Sequence, residues 1–548
     1  MEIYLSGYAA KTCARVTHNK FGPATLEPAV LAPDVLALRE AGIAFEASIF
    51  DELRCCLPES GQLLVVDPDI GSSQRQRATV AAMDAGVAVI AGGCLPSIGG
   101  RSGQPDVLVR SEAGYLPVDV KGHRTLATAK KGAVALSPLV APDQPLAHNG
   151  FSNHAARWRD DAMQLAHYTR MLQELGYHTG AHRGGIIGTS DLTGLIGDPH
   201  GITWYDLDAE TILSYSDDEP SHRAKRSVME YYDHEFAFRL AVAQAAASGR
   251  ELVRPYRIEA CNTCEWFDHC AEVAGDNDAS FTLDAGHLNV REWQYLYDHC
   301  GDGATLTVTQ LAEAQPDAEA FAIQSVGTQK PAGRLANAIR RSRMACAGAD
   351  VEPRGLDLPV VPSADIEVDF DIEWDGDQRV YQWGLRIRDG QDDTTARYEP
   401  VTSFEALDDA GEAALAAEFS SRIWGLRSQA QREGRTLRVF HWSHPEVSIT
   451  RRFADASAAL DGLTFDLLKW FDATYFARTR SSIKLVAGYF DFHWDVDDPG
   501  GLMSQSSIEA ARGHGPQADA ARRWCLAYNE CDVAAQAAIR DGLRRLAR

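Results

Sequence analysis

The stretch PDVLV at 105–109, followed by LPVDVKGHR at 116–124, decides how the first half of the chain is read. Side chains alternate along a strand, so an apolar strand running into Asp119-Val120-Lys121 places the carboxylate and the ammonium on one face. Asp106 stands at the start of the preceding strand-like run. Burying these charges is costly without a partner or a metal. Two readings follow: a surface ion pair on an edge strand, or a pair of carboxylates and a lysine assembled around a hard cation. The spacing D-x-K alone does not choose between them.

The chain has 548 residues, 45% hydrophobic and 24% charged, the composition of an ordinary globular protein of two to four domains. The N-terminus MEIYLSGYAAKTCARVTHNK has neither the basic lead nor the apolar core of a signal peptide. No segment approaches the ~20 apolar residues that cross a bilayer. A cytoplasmic address without membrane contact is the expectation. The 11 cysteines, an odd count without an export signal, argue against a disulfide framework. The net charge of −24 is unfavourable for binding nucleic acid, where phosphate contacts are electrostatic. Basic clusters at Lys130-Lys131, Arg223 to Arg226, Arg340-Arg341-Arg343 and Arg478 to Arg480 offset it locally. Each is also readable as a solvated face.

Residues 1–275 read as mixed α/β, with strands at LVVDP (64–68) and VAVIAGG (87–93) and helical patterns over Leu36 to Leu53 and Asp161 to Leu175. A helical connector follows at 276–345. ADVEPRGLDLPVVPSAD at 349–365, rich in proline and without helical periodicity, places an interdomain linker at 346–364. A second α/β unit then occupies 365–548. The helix DDAMQLAHYTRMLQELG sets Gln164 and Tyr168 four residues apart on one face, by default an exposed one. Glu46, in LREAGIAFEASIFDELR, is likewise expected in a solvated helix face. GGCLPSIGG at 92–100 reads as a loop. There is no G-x4-G-K-[ST] phosphate loop, so ATP-driven unwinding is not expected.

Cys261-x2-Cys264-x5-Cys270 has metal-ligand spacing, and the isolated Cys13 is available as a fourth ligand. Cys55 or Cys56 is the other source of a fourth thiolate. Four thiolates suit either Zn²⁺ or an iron–sulfur cluster. In the second α/β unit, IEVDFDIE alternates Glu367, Asp369, Asp371 and Glu373 with Ile366, Val368, Phe370 and Ile372. One strand therefore carries four carboxylates on one face. An exposed edge strand tolerates such a row, and divalent cations relieve its repulsion. Near the C-terminus, Tyr528-x3-Asp532 shares a helix face. Glu446 in VFHWSHPEVS and Asp466 in FDLLKWF are further acidic candidates.

Glu46, Asp106, Asp119-x-Lys121 and Gln164-x3-Tyr168 follow an order and spacing similar to the RecB-like branch of the PD-(D/E)XK nucleases. The resemblance implies a restriction-endonuclease-like α/β domain. In it Glu46, Asp106 and Asp119 bind Mg²⁺ or Mn²⁺, Lys121 orients the attacking water, and Gln164 and Tyr168 support substrate positioning. Many relatives have histidine where this chain has Glu46. The split cysteines resemble the AddB-type arrangement, which implies a [4Fe–4S] cluster on Cys13, Cys261, Cys264 and Cys270. The D-x-E strand and Y-x3-D helix resemble the RNase H-like domain of DnaQ/YprB-type DEDD exonucleases. That likeness implies metal binding by Asp371, Glu373, Glu446 and Asp532, with Tyr528 orienting water. Glu446 stands where aspartate is usual, a departure that bears on activity. Relatives often carry a helix-hairpin-helix at 276–330; here LDAGHLNVREWQ offers one glycine, Gly286. The implied function is a Mg²⁺- or Mn²⁺-dependent nuclease, an exonuclease by this likeness, acting on single-stranded DNA or DNA ends in repair, recombination or defence. The other readings are a catalytically inactive nucleic-acid-binding adaptor and a zinc-stapled nuclease acting on RNA.

Overall fold

The computed structural model describes residues 2–23, 26–30, 33–57, 62–112, 114–154, 157–283, 288–326, 330–355, 358–376, 378–443, 445–496 and 501–547. It is a mixed α/β protein divided into two compact units. The first comprises Met1–Asp276, Gly286–His299 and Pro316–Leu335; the second comprises Asn277–Ala285, Cys300–Gln315 and Ala336–Arg548. The helical stretch 276–345 is thus shared between the units. Gly286 lies outside the described residues. Among the described residues no helix is long and apolar enough to cross a membrane.

The first unit is built on an eight-stranded mixed sheet. Its strands are β1 (Leu63–Val65), β2 (Val89–Ala91), β3 (Val107–Ser111), β4 (Gly114–Val120), β5 (Leu126–Pro138), β6 (Leu146–Asn153), β7 (Arg183–Ile187) and β8 (Gly201–Asp206). They lie in the order β1-β2-β3-β4-β7-β8-β5-β6. The hairpin β3–β4 is antiparallel, and β4 pairs in parallel with β7. Asp119 therefore sits on an interior strand, which excludes the edge-strand ion pair. GGCLPSIGG is not a plain loop: Leu95–Ile98 pairs antiparallel with Arg101–Gly103.

Four helices matter to the site in this unit: α1 (Ala14–Phe21), α2 (Pro33–Cys56), α3 (Trp158–Glu174) and α4 (Val228–Ala247). Both faces of α3 are buried, Met163, Leu165 and Met171 among them. Its approach to the 95–103 hairpin requires Gly103, where a Cβ would come within 2.7 Å of the Tyr168 ring. Ser227 and Glu230 close a reciprocal cap at the start of α4, the pairing an S-x-x-E sequence favours.

The second unit holds a five-stranded sheet of β9 (Ile366–Trp374), β10 (Val380–Asp389), β11 (Asp392–Thr402), β12 (Leu437–His441) and β13 (Thr464–Asp466), in the order β11-β10-β9-β12-β13. β9, β10 and β11 form an antiparallel meander; β12 and β13 continue in parallel from β9. The stretch read as a linker has structure of its own inside this unit. Val351–Pro353 pairs antiparallel with Tyr475–Ala477, and Val361 is buried in a core with Trp442, Phe471 and Tyr475. Its prolines block helix without blocking a short strand.

The acidic strand is central, not an edge. On one face Ile366, Val368, Phe370 and Ile372 enter a core with Trp383, Phe419 and Val439, each worth ~1.5–3 kcal/mol of burial. On the other face Glu367, Asp369 and Glu373 are also buried. The long helix α9 of this unit, introduced here with α5 (Asp409–Glu433), α6 (Pro445–Thr450), α7 (Ile483–Gly488), α8 (Gly501–Ala511) and spanning Pro516–Leu546, covers that face. Arg540 pairs with Asp369 and with Glu367 (3.1 Å), Arg388 reaches Glu367 at 2.8 Å, and Arg544 also pairs with Glu367. Burial alone would raise the Glu367 carboxyl; the arginines outweigh it and hold the group below its ordinary value.

Removing one partner of a buried pair leaves an uncompensated charge, so Arg540→Leu should cost about 3–5 kcal/mol. Chemical denaturation is expected to show that loss, with Asp369→Asn in the same chain recovering part of it.

Candidate metal centres

The four carboxylates of β9 fall into two classes. Glu367 and Asp369 are matched by arginines, whereas Asp371 and Glu373 make no ion pair with an arginine among the described residues. Asp532, from α9, completes a group with them whose ligand oxygens all lie within 4.8 Å of one another. It is the single group of three or more His, Cys, Asp or Glu side chains so close among the described residues. Two carboxylate charges at 4.8 Å repel by about 3.5 kcal/mol at an effective dielectric of ~20. The protein answers with neutral donors. Asn529 donates to Asp371 Oδ2 (2.8 Å), Ser504 to Glu373 Oε2 (2.7 Å), and Trp494 Nε1 to Asp532 Oδ1 (2.7 Å). Gly384, opposite Asp371 in register, makes room for Asn529: a Cβ there would lie 1.7 Å from the amide oxygen.

Tyr528, one turn before Asp532, is buried, stacks on Trp524 at 5.0 Å and gives its hydroxyl to Asp532. Lys484 on α7 lies 5.3 Å from the Tyr528 ring, and its charge acts on Glu373 and Asp532. Glu446, at the start of α6, is buried and accepts from Ser443 Oγ at 3.0 Å on both oxygens. Its field reaches Asp371, but it is outside the close group. Asp466 instead caps a helix, accepting from Lys469 N at 2.8 Å.

In the first unit Glu46, Asp106, Asp119 and Lys121 act on one another's charges, although the three carboxylates do not bring their oxygens within 4.8 Å of one another as those of Asp371, Glu373 and Asp532 do. Asp119 is fully buried, with Oδ2 2.9 Å from Lys121 Nζ, while Oδ1 is buried with no hydrogen-bond partner. The Val120 N–H donates to Asp106 Oδ2 at 2.7 Å, fixing that carboxylate beside β4. Desolvation, then the Asp119 charge, pushes Asp106 well above the ordinary carboxylate range. Glu46, on α2, is half-buried and raised by burial and by Asp119. Burial works against the Lys121 cation, but Asp119 and Asp106 outweigh it and raise its pKa.

Gln164 and Tyr168 are not exposed, as their helix pattern suggested, but buried. Gln164 Nε2 donates to Tyr168 OH (3.0 Å), and Tyr168 OH donates to Gln104 O (3.2 Å). The Gln164 oxygen accepts from Lys11 Nζ at 2.7 Å, a residue sequence reasoning missed.

In the same unit Cys13 lies near the 261–270 segment. It precedes α1 and is near enough to act on Cys261, Cys264 and Cys270, whose thiols are raised first by burial, Cys261 to about 11. Asn19 of α1 donates to Cys270 Sγ (3.6 Å) and the Ile258 N–H to Cys261 Sγ (3.5 Å). Arg15 ties α1 to the same segment through Glu251 and Val253 O. Cys55 is exposed, and the groups acting on Cys56 are Glu52, Asp198 and Cys55, not the cysteine cluster.

Comparison with protein-family models, with curated proteins and with solved structures gives no match.

Burial, then neighbouring acids, pushes Glu373 up to about 8, and burial pushes Asp532 up to about 6, from ordinary values of 4.5 and 3.8. The folded chain thus keeps protons that the unfolded chain has released. That stabilisation is full below the ordinary values and is lost as pH rises towards 8. With chelator present, the melting temperature should fall between about pH 4 and about pH 8, and Mn²⁺ should restore it most at the upper end. Glu373→Gln is expected to flatten that dependence in a thermal melt.

Proposed function

We propose that the chain is a Mg²⁺- or Mn²⁺-dependent nuclease that hydrolyses DNA phosphodiester bonds, on single strands or at ends. It would combine a restriction-endonuclease-like PD-(D/E)XK domain with an RNase H-like domain. The observation that carries this reading is the contrast along β9: arginines pair with Glu367 and Asp369, while Asp371 and Glu373 converge with Asp532 with no arginine among the described residues and only the Lys484 charge acting on Glu373 and Asp532. Protein that spends three buried arginines on half of an acidic row leaves the other half for a cation. The antiparallel meander continued by two parallel strands supports the RNase H-like assignment.

The first site supports the same chemistry. Asp106, Asp119 and Glu46 are oxygen donors suited to a hard cation, and the unpartnered Oδ1 of Asp119 is explained by one. Such an ion, when bound, lowers the pKa of water and stabilises charge on a phosphate. Lys121 keeps a positive charge beside these carboxylates and would orient the attacking water. In the second site Tyr528, held by Asp532 and Trp524, would do the same beside Asp371 and Glu373.

Cys13, Cys261, Cys264 and Cys270 fit a [4Fe–4S] cluster. N–H···S contacts from Asn19 and Ile258 suit thiolates. The cluster would staple α1 to the end of the domain.

Purified anaerobically, the chain should contain iron and sulfide and absorb in the iron–sulfur charge-transfer region; stoichiometric zinc without iron would overturn the cluster assignment. Lys121→Ala should lower Mn²⁺-dependent cleavage of labelled single-stranded DNA by about 10²-fold or more while leaving that absorption intact. Binding without cleavage by the unaltered chain would favour the adaptor reading, and cleavage of RNA alone would reassign the substrate.

A further inference from the structure

We propose that Lys11 is a second phosphate-contacting cation of the first carboxylate site, aimed at the bound strand by Gln164. The inference rests on the nuclease reading above and names a residue that the motif pattern does not include.

Lys11 ends a short 3-10 turn, Ala9–Lys11, two residues before Cys13. Its ammonium donates to Gln164 Oε1 at 2.7 Å and lies 4.5 Å from the Tyr8 ring centroid. Gln164 is itself immobilised, buried on α3 with its amide nitrogen committed to Tyr168. A chain of neutral groups, Gln104 O, Tyr168 OH and the Gln164 amide, therefore ends on the lysine. This assigns Gln164 the task of positioning a cation.

Lys11 stands in the field of the carboxylate site: burial and the Lys121 charge act against its ammonium and lower its pKa to about 8, while Asp119, Asp161 and Asp160 favour the charged form. Yet no carboxylate lies within ion-pair distance of it among the described residues: Asp119 pairs with Lys121, and Asp161 faces His123 at 3.3 Å. A half-buried ammonium held by an amide oxygen is a costly arrangement unless something negative completes it. An ammonium has three donors, and Gln164 takes one. The phosphodiester oxygens of a strand seated over Asp106 and Asp119 would accept from the others. The Ala9–Lys11 turn packs against α3, and Arg239 of α4 donates to Thr12 O at 2.9 Å, which holds Lys11 in place.

The test uses the full chain and a labelled oligothymidylate, with Ca²⁺ in place of Mn²⁺ to permit binding during titration. Affinity is measured across a salt series for the unaltered chain and for Lys11→Gln and Lys11→Arg. Lys11→Gln is expected to weaken binding about tenfold and to reduce the slope of log affinity against log salt by about 0.7, the change for one lost single-strand phosphate contact. Lys11→Arg should keep the slope. An unchanged affinity and slope in Lys11→Gln, with the unaltered chain still binding and cleaving, would overturn the role of Lys11 alone. A folded Lys11→Arg chain, judged by its melting profile, that loses the slope would also overturn it. If the unaltered chain neither binds nor cleaves DNA, the nuclease reading falls and the Lys11 role with it.

Discussion

The structure depends on how buried negative charge is balanced. Strand β9 carries four carboxylates through the middle of a sheet, where each would be prohibitive alone. Arg388, Arg540 and Arg544 answer the first two and clamp α9 across the strand. That clamp delivers Asp532, two to three turns earlier on the same helix, to Asp371 and Glu373. The stabilising half of the row thereby builds the other half into a site. Asn529 and Ser504 orient its carboxylates without neutralising them.

The first unit solves the same problem with a different set of residues. Asp119 is sunk into an interior strand, and Lys121 from the same strand end returns to it. Asp106 is fixed by a backbone N–H, and Glu46 arrives from α2, so hard-cation donors come from three places in the chain. Asn19 of α1 and Cys270 join the two ends of the unit across its sequence length. Both sites lie within their own units, each assembled from a D-x-K or D-x-E strand and a helix packed on it.

Much of this was legible because strands alternate. D-x-K and D-x-E place both charges on one face whatever surrounds them, so Asp119 with Lys121 and Asp371 with Glu373 could be paired from the sequence. Burial was not legible. Gln164 and Tyr168 sit on a helix that is covered on both faces, so a polar pattern that ordinarily marks solvent marked an internal hydrogen-bond chain. The position of β9 within its sheet was also hidden, and an acidic row was therefore read as tolerable at an edge. Its partners had a signal: Asn529, Asp532, Gln536, Arg540 and Arg544 form a polar stripe at helical spacing along α9, and all are buried. Lys11 had none, since its partner lies 153 residues away.

The central claim is that the Asp106–Asp119 site and the Asp371–Glu373–Asp532 site each hold a divalent cation. Mn²⁺ binding to the full chain, followed by calorimetry, tests it most directly in parallel with Asp119→Asn and Asp371→Asn. Two classes of binding are predicted, with each substitution removing one and sparing the other. Identical isotherms for all three proteins would contradict the account.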